Sequence, residues 1–453
     1  MKDPLQRRKF ISKLSAGMAA SVLTPSAVVH PFNINSSGRK LALKGGKAIF
    51  PSTKIGIDWP YVDDKVVDSV VETTKSRIWS RIQSRDGKVP TFEKVFADLI
   101  GAKHSVGTGS GTQALSTAVL ALGIGPGDEV ITSPYSDFGT ISSILTARAL
   151  PVLADLDPQS FQLNPDEVEK KINKNTKAIM PVHISGLPAD MGRIMDLARK
   201  HNLNVIEDAC QAHLASYQGQ PLGLIGDLGC FSFQASKAIA CGEGGAVVGN
   251  DEALMDECYT VQNRGSSRQG KNETIGPKYR MNEFEGAVLM GQISGARERF
   301  EKRDQNANFL NQHLKEINGL TPQKQYKGTE NGGYYRYALS YEEDNFDGVS
   351  RTAFLKAVNA EGVPFSSYIR NGFHREPWVD HILGLKGYQT MFSKERLEKY
   401  KADMKMPNCD IVTDKTHISL WGSGLLLGSQ EEMQGIVDAV TKVYENRDQL
   451  KDL

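Results

Sequence analysis

"GDLGCFSFQASKAIACGEGGAVVGND" spans Gly226–Asp251 and sets two short apolar runs on either side of a small-residue loop that holds one lysine. In the first run Ser232 and Gln234 alternate with Phe231 and Phe233. A period of two puts the polar pair on one face of a short strand. Lys237 lies just beyond, among Ala235, Ser236, Ala238, Ile239 and Ala240. A lysine in such surroundings is poorly solvated, and desolvation lowers an ammonium pKa and makes the amine a better nucleophile. Taken alone, such a lysine reads as a surface residue, and only the segments before it change that reading.

Upstream, "VIEDACQAH" (Val205–His213) is an apolar run that ends in Glu207 and Asp208, with Gln211 close behind. A carboxylate at the C-terminal end of a parallel strand sits where α/β folds place their ligands. Earlier still, "GTGSGTQAL" (Gly107–Leu115) follows a short apolar run and opens a helix. Small residues there let backbone N–H groups approach an anion, and the helix N-terminus adds a favourable dipole. Each segment alone has a blander reading, as a tight turn or a helix cap. Their order is what carries weight: an anion cup, an aspartate at a strand end, then a lysine. That is the order needed to hold pyridoxal phosphate (PLP), with the phosphate on the helix N-terminus, the aspartate on the pyridinium nitrogen and the lysine in a Schiff base.

The surrounding pattern fits an α/β fold. "DEVITSP", "LPVLADLD", "TKAIMPVHI" and "LNVIEDAC" read as strands buried on both faces. "TQALSTAVLALG" and "PADMGRIMDLARKHN" read as helices between them. Such alternation predicts a mostly parallel central sheet covered by helices. Residues 41 to 100 read as a leading arm with one amphipathic helix over Val62–Lys75. Past Asn331 the character changes: "GGYYRYALSY" reads as a strand with one exposed face, and "RTAFLKAVNAEG" and "QEEMQGIVDAVTKVYENRDQL" as helices. The expected organisation is a large cofactor-binding domain over 41–320 and a smaller C-terminal α+β domain over 321–453.

Charge narrows the function classes. The 453 residues include 54 basic and 53 acidic side chains, a net charge of +1. This balance, without a helix-turn-helix pattern, gives no support for a nucleic-acid partner. The five cysteines (Cys210, Cys230, Cys241, Cys258, Cys409) contain no CxxC pair, so neither a metal site nor a disulfide framework is indicated.

From Leu41 to the C-terminus the chain resembles the DegT/StrS-type sugar aminotransferases, PLP-dependent enzymes of fold type I. The resemblance rests on "LALKGG", "SGTQAL", "LGIGPGDEVI", "GLPADM", "VIEDACQAH", "GDLGCFSFQASK" and "GEGGAVV". It implies that Lys237 carries the cofactor, Asp208 pairs with its ring nitrogen and Gln211 neighbours its ring hydroxyl. It implies that Gly111, Thr112 and Ser232 hold the phosphate. "KYRMNEFEGA" looks like the family segment that reaches the neighbouring subunit's site in a homodimer. Arg280 is thereby a cross-subunit phosphate contact, or else part of a salt bridge at the same interface. Two departures stand out. The family's ring-stacking aromatic aligns with Asp137, flanked by Tyr135 and Phe138. "IRNGFHREP" matches the substrate-side loop only loosely, which leaves His374 and Arg370 without a role.

The implied activity moves an amino group from glutamate or glutamine to a keto-sugar or keto-cyclitol. A PLP-dependent sugar dehydratase or lyase is the alternative, but family members of that kind replace the lysine. A non-catalytic sensor on the same fold has no need of both Lys237 and Asp208. The chain opens with Arg7-Arg8-x-Phe10-Ile11 and a weakly apolar stretch to Val29, which reads as a twin-arginine signal over residues 1–30. It predicts export of the folded, cofactor-loaded protein to the periplasm or a membrane anchor; without a working leader the enzyme stays cytoplasmic.

Overall fold

Seven strands form the central sheet of the computed structural model, which describes residues 40–51 and 54–452. The twin-arginine stretch lies outside the described residues. In chain order the strands are β1 (His104–Thr108), β2 (Glu129–Thr132), β3 (Leu150–Leu153), β4 (Thr176–Met180) and β5 (Asn204–Asp208). A short hairpin of β6 (Ser216–Tyr217) and β7 (Gln220–Pro221) intervenes before β8 (Leu228–Ser232) and β9 (Gly245–Gly249). The spatial order is β1-β9-β8-β5-β4-β2-β3. β9 pairs antiparallel with both β1 and β8, and every other pairing in the sheet is parallel. The expected fold class is thus observed. Val205, Ile206 and their counterparts Ala178 and Ile179 are all inaccessible, as both-face burial requires.

The leading arm contains its expected helix at Asp64–Ser76, capped by Asp63 accepting from the Val66 N–H. It also contains a second, unexpected helix at Lys88–Ile100. Pro90 obscures that helix in the sequence, yet it lies in the first turn, where a missing N–H costs nothing. Val89, Phe92, Phe96 and Ile100 bury one stripe of it against Phe231 and Phe233.

The C-terminal region folds on a second sheet of β10 (Leu320–Pro322), β12 (Arg336–Tyr341) and β13 (His417–Trp421), while β11 (Thr329–Asn331) joins the β6–β7 hairpin. β12 departs from the expected exposed-face strand: all its residues are buried except the partly buried Ser340. One face meets the helices Arg351–Ala360 and Gln430–Glu445. The other meets the active-site side of the large sheet through Ala338, which packs with Tyr135 and Ile184. The core of this region also takes in Leu41, Ile55 and Leu310 from before residue 321. Lys442 and Glu361 form a buried ion pair at 2.8 Å, and Glu361 also accepts the Ala42 N–H, tying the arm to this core.

Candidate active site

The C-terminal ends of the parallel strands converge on a cavity of about 350 Å³. Its walls include Gly111, Thr112, Asp208, Gln211, Ser232 and Lys237, which brings together every residue the sequence assigned to the cofactor except Arg280.

The anion cup forms because three backbone segments press together. The helix Gly111–Ala121 starts at the end of β1, and Ser110 caps it by accepting from the Gln113 N–H. A Cβ on Gly111 would lie 2.6 Å from the Ser232 Cβ and 3.0 Å from its hydroxyl oxygen. A Cβ on Gly245 would lie 2.4 Å from the Ser110 carbonyl oxygen. Glycine at both positions is what lets the helix N-terminus approach β8 and β9. The result is a polar recess of N–H groups and hydroxyls at the positive end of a helix dipole.

Glu207 and Asp208 are neighbours with opposite surroundings. Glu207 is inaccessible and accepts from the N–H groups of Gly223 (2.8 Å), Ile225 and Gly226 (both 2.7 Å). Its fourth donor is His183 Nε2 at 2.9 Å; the Ala189 N–H donates to His183 Nδ1, which fixes the proton on Nε2. Glu207 is a structural carboxylate. Asp208 turns to the cavity, where its Oδ2 accepts from the Thr140 hydroxyl at 2.8 Å. Thr140 in turn accepts from Ser136 at 2.8 Å, since its own proton is committed to the carboxylate. Gln211 is oriented by the Ser185 N–H, which donates to its Oε1 at 2.9 Å, and its Nε2 donates to the Tyr368 hydroxyl at 3.2 Å.

Lys237 is 8 % exposed, so the surface reading does not hold. Its Nζ lies 4.1 Å from the centre of the Tyr335 ring, and no carboxylate pairs with it among the described residues. Its backbone is clamped from both sides: Trp59 Nε1 donates to the Lys237 carbonyl at 3.1 Å, and the Ser423 hydroxyl donates to the Ser236 carbonyl at 2.6 Å. Cys210 also lines the cavity, but burial, reinforced by the nearby Asp208, pushes its thiol well above the usual range. It stays neutral and is no competing nucleophile.

The aromatic departure resolves on geometry. Asp137 lines the cavity and caps the helix Phe138–Thr146 through the Gly139 N–H. Neither flanking aromatic lines it: Tyr135 is fully buried against Tyr368 and His417, and Phe138 leans outward on Phe373. Tyr335 and Tyr368 are the rings in the wall. Tyr368 and Thr140 carry no local signal in the sequence, because their partners are distant in the chain, and Ser136 enters the site only through Thr140. His374 pairs with Asp410 at 2.7 Å and Arg370 is exposed; both stand outside the wall.

Arg280 also lies outside this wall. Its backbone bridges Thr108, and its guanidinium donates to the Asn263 side chain at 3.1 Å. Burial, with Arg264 and Arg81 nearby, lowers its pKa. No carboxylate of the described chain pairs with it.

The arrangement fits PLP: a glycine-built anion cup, a hydrogen-bonded carboxylate and a buried amine share one cavity of suitable size. Comparison with known proteins agrees. The profile of the DegT/DnrJ/EryC1/StrS aminotransferase family matches residues 61–399. An L-glutamine:2-deoxy-scyllo-inosose aminotransferase of Streptoalloteichus tenebrarius is 32% identical over 415 residues, covering 87% of this chain and 95% of that one. GDP-perosamine synthase of Caulobacter vibrioides is 34% identical over 331 residues, covering 73% and 88%. Among solved structures, 3-amino-5-hydroxybenzoic acid synthase superposes with a TM-score of 0.75 at 26% identity, covering 87% of this chain and 98% of that one. An aminotransferase from Psychrobacter cryohalolentis gives 0.76 at 27%, covering 87% and 100%. The chain belongs to the DegT/DnrJ/EryC1/StrS family and is a PLP-dependent aminotransferase of fold type I.

Proposed function

We propose that this enzyme takes an amino group from L-glutamine or L-glutamate and delivers it to a keto-cyclitol or keto-sugar. The observation that carries the chemistry is Lys237: a buried amine with no carboxylate partner among the described residues, in one cavity with Asp208. Support for the substrate class comes from the relatives, one named as an L-glutamine:2-deoxy-scyllo-inosose aminotransferase and another as a GDP-perosamine synthase.

When bound, PLP supplies the electron sink for a substrate carbon that loses a proton. Asp208 would hold its ring nitrogen, and Thr140 keeps that carboxylate turned toward the cavity. Gly111, Thr112 and Ser232 would hold the phosphate, and Gln211 the ring hydroxyl. Lys237 Nζ would anchor the cofactor and carry the proton between the amine-bearing substrate carbon and the cofactor, a role that contributes roughly 10²–10⁴-fold. The Tyr335 ring beside Nζ and the Trp59 bond to the Lys237 backbone carbonyl restrict where that amine can go.

The same reading makes the enzyme a homodimer with shared sites. Arg280, unpaired by any described carboxylate and outside its own cavity wall, is the group offered to the partner's phosphate. Val67, Val71, Trp79 and Ile82, all more than a third exposed, supply the apolar surface nearby. Residues 1–30 direct export by the twin-arginine route, tested by whether Arg7→Lys with Arg8→Lys traps the protein in the cytoplasm.

The test of the activity is a half-reaction screen: holoenzyme mixed with single amino acids while the cofactor absorbance is followed. Glutamine or glutamate should convert the spectrum, and scyllo-inosose should restore it. Borohydride reduction and peptide mapping should label Lys237; label elsewhere, or transamination by Lys237→Ala, defeats the assignment.

A further inference from the structure

We propose that Trp421, with Tyr335 beside it, is the platform on which the ring of the acceptor lies, and that Arg336 fixes this platform from behind. The proposal rests on the keto-cyclitol reading above and names a substrate-binding residue for it.

Trp421 ends β13, in register with Arg336 on β12, and is 44 % exposed. Arg336 is only 2 % exposed, and no carboxylate of the described chain pairs with it. Its Nε donates to the Ser419 hydroxyl at 2.9 Å and an Nη donates to the Ser366 hydroxyl at 3.0 Å. The guanidinium lies 4.1 Å from the centre of the Trp421 ring and 4.5 Å from that of Tyr368. A buried cation without a counter-ion is costly; here the compensation comes from two hydroxyls and two aromatic faces. The consequence for Trp421 is a fixed orientation. The cation covers one face, and the Tyr335 ring meets it edge-on at 5.2 Å and 84°. Much of the indole remains open to solvent.

The indole adjoins the active site through Tyr335. Tyr335 is in the cavity wall, and its ring is the one that lies 4.1 Å from Lys237 Nζ. Tyr368, on the other side of Arg336, is in the wall as well and bonds Gln211. One buried guanidinium therefore joins the wall ring of Tyr368 to an exposed indole, and the wall ring of Tyr335 touches both. An isolated exposed tryptophan needs no explanation, but one clamped by a buried cation beside a catalytic lysine does.

The ligand this surface fits is a saturated six-membered ring with equatorial hydroxyls. Such a ring has polar edges and two faces made of C–H groups. An indole face accepts the C–H face, while the hydroxyl edge stays free for polar side chains and water, the mix that small-molecule sites favour. Glutamine and glutamate have no such face, so the platform serves the acceptor and not the donor.

The test uses holoenzyme, glutamine as donor and scyllo-inosose as acceptor. Trp421→Ala should raise the KM for scyllo-inosose about tenfold, or about 1.4 kcal/mol, while the KM for glutamine moves by less than about twofold. Trp421→Phe, which keeps a ring face, should recover most of the loss. Scyllo-inosose should also perturb the tryptophan fluorescence of the holoenzyme, and Trp421→Phe should remove that response. An unchanged acceptor KM in Trp421→Ala, or an equal rise for donor and acceptor, overturns the platform. Wild-type enzyme that converts with glutamine but leaves scyllo-inosose untouched overturns the cyclitol reading, and the platform with it, independently of any variant.

Discussion

Thr140→Val probes the least visible part of the site. The substitution keeps shape and removes one hydroxyl, whose proton goes to Asp208 Oδ2 at 2.8 Å. Both groups are buried, Thr140 at 1 % and Asp208 at 4 % exposure. A hydrogen bond to a charged group contributes about 1.5–3 kcal/mol. Without it the carboxylate keeps the Cys210 N–H, a long contact of 3.3 Å, and the weak Cys210 thiol, and is freer to rotate. The cost should appear where the orientation of Asp208 matters, as PLP affinity weakened by about tenfold to a hundredfold. Ser136 loses its acceptor too, but it lines the cavity and can bond to water. The assay is titration of cofactor-free protein with PLP, followed by absorbance, with thermal unfolding of the cofactor-free form as control. A PLP dissociation constant equal to wild type refutes the reasoning. Lower thermal stability with unchanged affinity shows instead that Thr140 serves folding alone.

Other consequences follow from the same geometry. Gly111→Ala places a Cβ 2.6 Å from that of Ser232, so β8 or the helix must retreat, and PLP affinity should fall more than stability measured without cofactor. Lys442→Met strands the inaccessible Glu361 and should cost about 3–5 kcal/mol in urea unfolding; adding Glu361→Gln should return part of it. Burial pushes His213 and His417 from 6.5 down to about 3. The unfolded chain therefore binds protons that the folded chain refuses, so stability present above pH 6.5 is lost as pH falls toward 3, by up to about 1.4 kcal/mol per pH unit for each histidine. His417→Phe, among the rings of Tyr135 and Phe161, should flatten that slope, and an unchanged acid limb would contradict the burial argument. Glu207→Gln should destabilise the protein without changing the cofactor spectrum, whereas Asp208→Asn should leave PLP bound and slow the half-reaction by orders of magnitude.

What was legible in the sequence was what is local. The strands β2 to β5 announced themselves because strands buried on both faces must be apolar throughout. The cup was legible because glycine and small residues at a strand–helix junction have few other uses. Lys237 and Asp208 came from their order along the chain. The rest depends on residues that meet only after folding. Thr140 reaches Asp208 from the helix Phe138–Thr146, Tyr335 reaches Lys237 from the bend before β12, and Trp59 reaches it from the leading arm. None of these carries a local pattern. β12 departs from its pattern for a related reason: alternation implies one exposed face, but this strand is wedged between the C-terminal helices and the large sheet, and both its faces are buried.

The pair at the end of β5 shows how far a local rule reaches. Two adjacent carboxylates at a strand end look equivalent in composition, yet successive side chains on a strand point to opposite faces. Only one of them can face the cavity. The choice was made by the other face, where the turn at Gly223–Gly226 aims three N–H groups at a single point, and His183 adds a fourth donor. Such a cluster of donors needs an anion as much as the anion needs donors. Once Glu207 satisfies it, Asp208 is committed to the cavity by the geometry of the strand, and Thr140 has only to set its rotation. The orientation of the cofactor-facing carboxylate is thus fixed largely by its neighbour on the opposite side of the sheet.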